Sequence, residues 1–169
     1  PHCYMEDENG GHFHGHGTIS HNIAKVVLER LRFDNKTKNE VLELVLYHDS
    51  VIEPTPKTAR RWLNKIGEHR FQQLIDVRMA DMMAHAVGTQ ALRIERCKEL
   101  NLILHDVLEK AQCFSLKDLQ INGNDIMCLG VEQGKRVGSV LNAILGDVIS
   151  GSLENRHDIL MQKAVEYLG

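Results

Sequence analysis

Aromatic residues are scarce: Phe, Trp and Tyr together make up 5% of the 169 residues, and there is one tryptophan. Leu, Ile, Val, Ala, Glu and Lys are plentiful instead, which argues against a β-sandwich and for helices packed on helices. Cysteine is sparse too. Cys3, Cys97, Cys113 and Cys128 are scattered and form no Cys-x-x-Cys pair, which argues against a thiolate zinc site and fits free thiols in a reducing cytoplasm. No apolar run is long enough to span a bilayer, and the polar start over residues 1–11 does not read as a signal peptide. Basic charge is not in excess: 20 Lys and Arg stand against 23 Asp and Glu, net −3. A nucleic-acid partner therefore cannot be read from total charge and needs a local basic patch. What is present is an ordinary globular composition, 43% hydrophobic and 25% charged, enough for one domain or two small ones.

Residues 1–17 carry glycines and histidines without helical period and read as loop or short extended chain. Thr18 or Ser20 is a candidate cap for a helix with Ile19, Ile23, Val26, Val27 and Leu31 inward. Asp34 and Asn35 break and recap, and Val41, Leu42, Val45 and Leu46 form the next stripe, ending near His48 and Asp49. Thr55-Pro56 is a helix start and Gly67 its stop. A helix over 68–86 places Phe71, Leu74, Ile75, Met79 (or Val77) and Met82 inward. A longer one over 89–112 follows, patterned on Leu92, Cys97 (or Arg96), Leu100, Ile103 and Leu104. After residue 113 glycine becomes frequent, and short helices are expected near 124–129, 135–149 and 156–168, the last capped by Asn155. The expected fold is all-α, with residues 1–113 as one part and 114–169 as a small helical C-terminal subdomain.

Three groups could carry chemistry in the first part. His12, His14 and His16 project to one side of an extended chain, where neutral imidazoles suit a transition metal; alternatively the stretch is a solvated polar loop. His48-Asp49 at a helix end could share a metal, or could simply cap and face solvent. Asp81 sits among small and apolar neighbours, so it either takes a cation, a metal or an arginine such as Arg78, or it lies on the solvent face. In the second part, Gly134-Lys135-Arg136-x-Gly138 puts two cations at a helix start, where free N–H groups also attract phosphate and the glycines let an RNA backbone approach. The alternative is helix packing through Gly134 and Gly138 with solvated cations. Arg60-Arg61 beside Trp62 is a second basic candidate, or else a surface pair flanking a core tryptophan.

Gly15-His16-x-x-x-Ser20, then Leu44-Val45-x-x-His48-Asp49, then Ala80-Asp81-x-x-Ala84, resembles the HD-type region of bacterial CCA-adding tRNA nucleotidyltransferases and related poly(A) polymerases. The stretch Asp118-Leu119-Gln120-Ile121-Asn122-Gly123-Asn124-Asp125-Ile126-Met127, with Gly130, Gly134, Gly138, Leu141, Gly151 and Asn155, resembles the same family more specifically. The resemblance covers nearly the whole chain. It implies an HD domain whose divalent metal is held by a His, a His-Asp doublet in His-Asp-Ile-Gly-Lys, and a distant Asp. Asp81 matches that Asp, whereas His16 and His48 match positions facing a substrate phosphate or a second metal. His48-Asp49 is not the family doublet, since no Gly-Lys follows it. In the family Pro usually follows the doublet, so the resemblance implies that this chain, starting at Pro1, begins after it and lacks three of the four ligands. Met79 stands where Arg is common and His21 where Ala is common.

No Asp-x-Asp pair for magnesium near a glycine-rich turn is found, so the nucleotidyltransferase head that would take ATP and CTP is expected to lie outside these residues. The resulting expectation is a tRNA-holding HD and C-terminal portion without nucleotidyl transfer of its own. Metal, held at Asp81, His16 and His48, would be weak or absent. Candidate phosphate or RNA contacts are Lys135, Arg136, Arg60 and Arg61, and no membrane partner is expected. The alternative is a metal-dependent HD phosphohydrolase acting on phosphomonoesters or cyclic phosphodiesters. A helical RNA-binding module without catalysis is a third reading.

Overall fold

The computed structural model describes residues 4–7, 10–13, 16–84, 91–110, 112 and 114–169, the first two segments as backbone only. Those two strands, β1 (Tyr4–Asp7) and β2 (Gly10–Phe13), pair antiparallel with Tyr4 opposite Phe13. Among the described residues every regular element after them is helical, and the fold is all-α as expected. Among the described residues the helices are α1 (His16–Arg30), α2 (Asn35–Tyr47), α3 (Pro56–Ile66), α4 (Glu68–Ala84), α5 (Ala91–Glu109), α6 (Gly123–Cys128), α7 (Lys135–Ser150) and α8 (His157–Leu168). None is long and apolar enough to cross a membrane. Cys97 is buried and Cys128 exposed, both free thiols.

The chain divides into two compact units. Unit 1 is Pro1–Ile52 with Glu68–Cys97, and unit 2 is Glu53–Gly67 with Lys98–Gly169. The change of composition after residue 113 falls inside unit 2.

In unit 1, α1 begins at His16, before either expected cap, and meets α2 closely at Gly17, where a β-carbon would stand 3.2 Å from the Leu46 carbonyl oxygen. A side chain there would press on that carbonyl and require it to give by a few tenths of an ångström. Leu28 is the buried residue of α1, while Ile23 and Val26 are 60% and 65% exposed, contrary to their expected inward placement. The reason is geometric: the face carrying Gly17, Ala24 and Leu28 packs, and Ile23 and Val26 lie on the opposite side. The helix closes with Arg32 in the left-handed region (φ 57), its amide donating to Glu29 O at 3.0 Å and the Phe33 amide to Leu28 O at 3.1 Å, a two-bond stop that satisfies two of the last carbonyls. Asp34 then caps α2, its carboxylate accepting from the Thr37 amide at 3.0 Å. On α4, Phe71, Leu74, Ile75 and Met82 are buried as expected, and Arg78 with them.

In unit 2, α3 starts on the Thr55 cap with Pro56 at its first position and stops at Gly67 (φ 79), as read from the sequence. Helix α5 runs from unit 1 into unit 2, which begins again at Lys98; its buried line is Cys97, Leu100, Leu104 and Val107, stepping by three and four, and Leu92 falls off that register and is 70% exposed. The core joins Ile126 of α6, Val137, Val140, Ile144, Leu145, Val148 and Ile149 of α7, and Leu160 and Ala164 of α8. Asn122 and Asp125 form a reciprocal cap on α6: the Asn122 amide donates to Asp125 Oδ2 at 2.7 Å, and Asn122 Oδ1 accepts from the Asn124 amide at 2.8 Å. Asn155 does not cap α8. Its Nδ2 donates to Asp118 O at 2.7 Å and its Oδ1 accepts from the Gln120 amide at 3.0 Å, which clasps the 118–120 turn. Arg156 stands at the cap position, and its bonds to Asp158 at 2.7 and 2.9 Å hold that carboxyl down at about 2.

Candidate functional site

His16 opens α1 and His48 follows the last turn of α2, and the close α1–α2 approach at Gly17 brings the two rings together. Their Nε2 atoms are 3.0 Å apart and their rings meet edge to face, with centroids separated by 5.0 Å. The second nitrogen of His48, Nδ1, lies 2.7 Å from the Val45 carbonyl. A carbonyl only accepts, so neutral His48 carries its hydrogen on Nδ1 and presents a lone pair at Nε2; His16 Nε2 is then the donor. His16 Nδ1 faces Asp49 Oδ2 at 3.9 Å, and Asp49 also accepts from Arg93 Nη2 at 3.3 Å. Sequence reading named both histidines but had no means of seeing that they touch, or that Arg93 joins Asp49.

Beneath this pair lies Arg78. It is 8% exposed, and its Nη1 donates to His48 O at 3.0 Å and to Ser50 O. The guanidinium thus sits at the negative end of α2, where carbonyls lack helical partners. Met79 is half-buried, and Asp81 stands on the exposed side of α4. Among the described residues no group of three or more His, Cys, Asp or Glu side chains is arranged to hold a metal ion. His48 presents its Nε2 lone pair, oriented through its other nitrogen as metal-binding imidazoles are, and His16 Nε2 joins it as a second nitrogen donor only once its hydrogen has moved to Nδ1. The four-ligand HD set does not fit these residues, and Asp81 is not assembled with the histidines into such a group. His14 lies outside the described residues, as does the side chain of His12.

The other candidate is at the start of α7. An open cleft of about 560 Å³ is bounded by the 129–136 turn and Leu168, with Lys135 and Arg136 on its edge. Lys135 is exposed; Arg136 is exposed too, and its Nη2 donates to Leu168 O at 2.9 Å. Gly134, at the cap position, supplies no side-chain cap to the first amides of α7. A β-carbon at Gly134 or at Gly138 would meet no atom within 4 Å. Neither glycine is therefore spent on helix packing; Gly134 is exposed in the cleft beside the cations, whereas Gly138 is half-buried and its carbonyl accepts from Asn142 Nδ2 at 2.7 Å.

Arg60 and Arg61 have opposite fates. Arg60 Nε and Nη2 donate to Ile149 O at 3.2 and 2.9 Å, and its Nη1 to Gln112 Oε1 at 2.5 Å. Arg61 is exposed, and the adjacent Trp62 is half-buried rather than core.

A family model described as tRNA nucleotidyltransferase domain 2 matches residues 16–164. No curated protein and no solved structure matches the chain. The family match starts at the first residue of α1 and ends inside α8, so it takes in the histidine pair, the 129–136 turn of the α7 cleft and the Asn122–Asp125 cap alike. On that span the chain belongs to the tRNA nucleotidyltransferase domain 2 family, in its helical region.

Proposed function

We propose that this chain holds tRNA for 3′-end CCA addition or repair in the cytoplasm, while a separate nucleotidyltransferase head with its magnesium takes the ATP and CTP. The observation that carries this reading is the start of α7. Two exposed cations flank an open cleft, and Gly134 leaves backbone uncovered in it where a side chain would have had room. Cations beside accessible main-chain N–H groups suit a sugar-phosphate strand, and bare glycine lets that strand come close.

The test is a titration of the chain with tRNA at low salt. Lys135→Ala is expected to weaken binding about three- to tenfold and to reduce the salt slope by roughly 0.7–0.9. Gly138→Ala is expected to raise the melting temperature, because alanine favours helix by about 0.5–1 kcal/mol, and still to weaken binding. If both variants titrate like the unaltered chain, the cleft is not the contact. Labelled CTP or ATP entering tRNA with this chain alone would overturn the division of labour.

A second reading, metal-dependent phosphoester hydrolysis, draws on the His16–His48 contact. A divalent ion there would supply an activated water, with His16 and His48 as its nitrogen donors. The expected outcome is weak nickel or zinc binding that His48→Ala abolishes. Elemental analysis finding a tightly held stoichiometric ion would instead favour the hydrolase.

A further inference from the structure

Among the described helices, α3 is the most one-sidedly charged. Its eleven residues hold Lys57, Arg60, Arg61 and Lys65 and no acid. Ala59, Leu63 and Ile66 are buried, so the face they occupy is fixed. Arg60 is spent on Ile149 O and Gln112. Lys57, Arg61 and Lys65 are all exposed. They recur every fourth residue, so they stand one above another with a rise of roughly 6 Å between them. That is on the order of the separation between successive phosphates of one RNA strand. Lys65 does not hang loose: its Nζ is 4.7 Å from the centre of the Trp62 ring. An ammonium attracted to an indole face is held in place before any ligand arrives. In a chain of net charge −3, three exposed cations in line with no acid in their helix form a local basic track.

We propose that the outer face of α3, through Lys57, Arg61 and Lys65, is a second sugar-phosphate contact, with Trp62 as the residue that positions Lys65. It is independent of Lys135 and Arg136, and it rests on the tRNA-holding reading. The ligand is an RNA strand recognised by its phosphates and not by its bases, since a row of point charges reads no base edge.

The experiment is a tRNA titration of the full chain over a range of salt. The triple variant Lys57→Ala, Arg61→Ala, Lys65→Ala is expected to lose roughly tenfold or more in affinity at low salt and about 2 in the salt slope. The charge-conserving Lys57→Arg, Arg61→Lys, Lys65→Arg is expected to bind like the unaltered chain, which separates charge from folding. Trp62→Leu is expected to weaken binding less than the triple variant. If the unaltered chain binds no tRNA, the tRNA-holding reading itself fails. If it binds, and the triple variant keeps both affinity and slope, α3 is not a contact for the RNA and the inference falls while the reading stands.

Discussion

Replacing Arg78 with alanine is expected to lower the stability of the fold by about 3 kcal/mol. Arg78 is buried at 8% exposure, and its Nη1 holds the carbonyls of His48 and Ser50. Both carbonyls lie past the last turn of α2, where no amide is left to meet them and the helix dipole is negative. Removing the guanidinium strands two acceptors, each costing roughly 1–3 kcal/mol where water cannot reach. It also removes the packing of the alkyl stem. Part of that loss is offset, because Arg78 Nε is itself buried without a hydrogen bond. Arg78→Met keeps the stem and loses the bonds, so it should recover part of the loss and leave the polar share. Because Arg78 grips the main chain of His48, either variant should also loosen the contact between the two rings. Urea denaturation gives the first effect and imidazole nitrogen NMR the second. An unchanged denaturation midpoint would mean that the buried guanidinium is not what holds the end of α2.

How far the sequence reading reached follows from the range of each interaction. The Asp34 cap, Thr55-Pro56 and the Gly67 stop were legible because their partners lie within a few residues and have residue-specific chemistry. The fold class was legible for the same reason, from apolar positions spaced three and four apart. The His16–His48 contact was not, because the residues are 32 apart and meet only through the packing of α1 on α2 at Gly17. In the sequence Arg78 is one possible cation for Asp81, three residues along the same helix, beside a metal or an Asp81 that simply faces solvent. The acceptors found for it are main-chain oxygens of residues 48 and 50, and a main-chain oxygen leaves no mark on residue type. The stretch Ile121-Asn122-Gly123-x-Asp125, which carried much of the family resemblance, proves to be a helix cap. Its specificity therefore speaks for the fold of unit 2 and not for a ligand. Lys135 and Arg136 stand out by local composition, and the structure adds what composition cannot: whether Gly134 and Gly138 pack against anything.

The adjacent arginines of α3 provide the sharpest test of that difference between local and distant information. Residues i and i+1 of a helix point about 100° apart, so neighbours of identical chemistry can have unrelated tasks. Arg60→Ala is expected to cost about 2–3 kcal/mol. Its guanidinium forms a two-pronged bond to Ile149 O, in the last turn of α7, and a third bond to Gln112 Oε1. Charged hydrogen bonds of this kind are worth roughly 1.5–3 kcal/mol, and a cation at a helix C-terminus adds about 0.3–1 kcal/mol. The variant should therefore unfold earlier while binding tRNA within about twofold of the unaltered chain at temperatures where it stays folded. Arg61→Ala should do the reverse, leaving the melting curve in place and weakening RNA binding, since surface substitutions usually stay within about 0.5 kcal/mol. Melting curves and tRNA titrations on the two single variants decide the matter. If Arg60→Ala weakens RNA binding without lowering the melting temperature, the guanidinium leaves Ile149 to meet phosphate, and the division of labour along α3 assigned here is wrong.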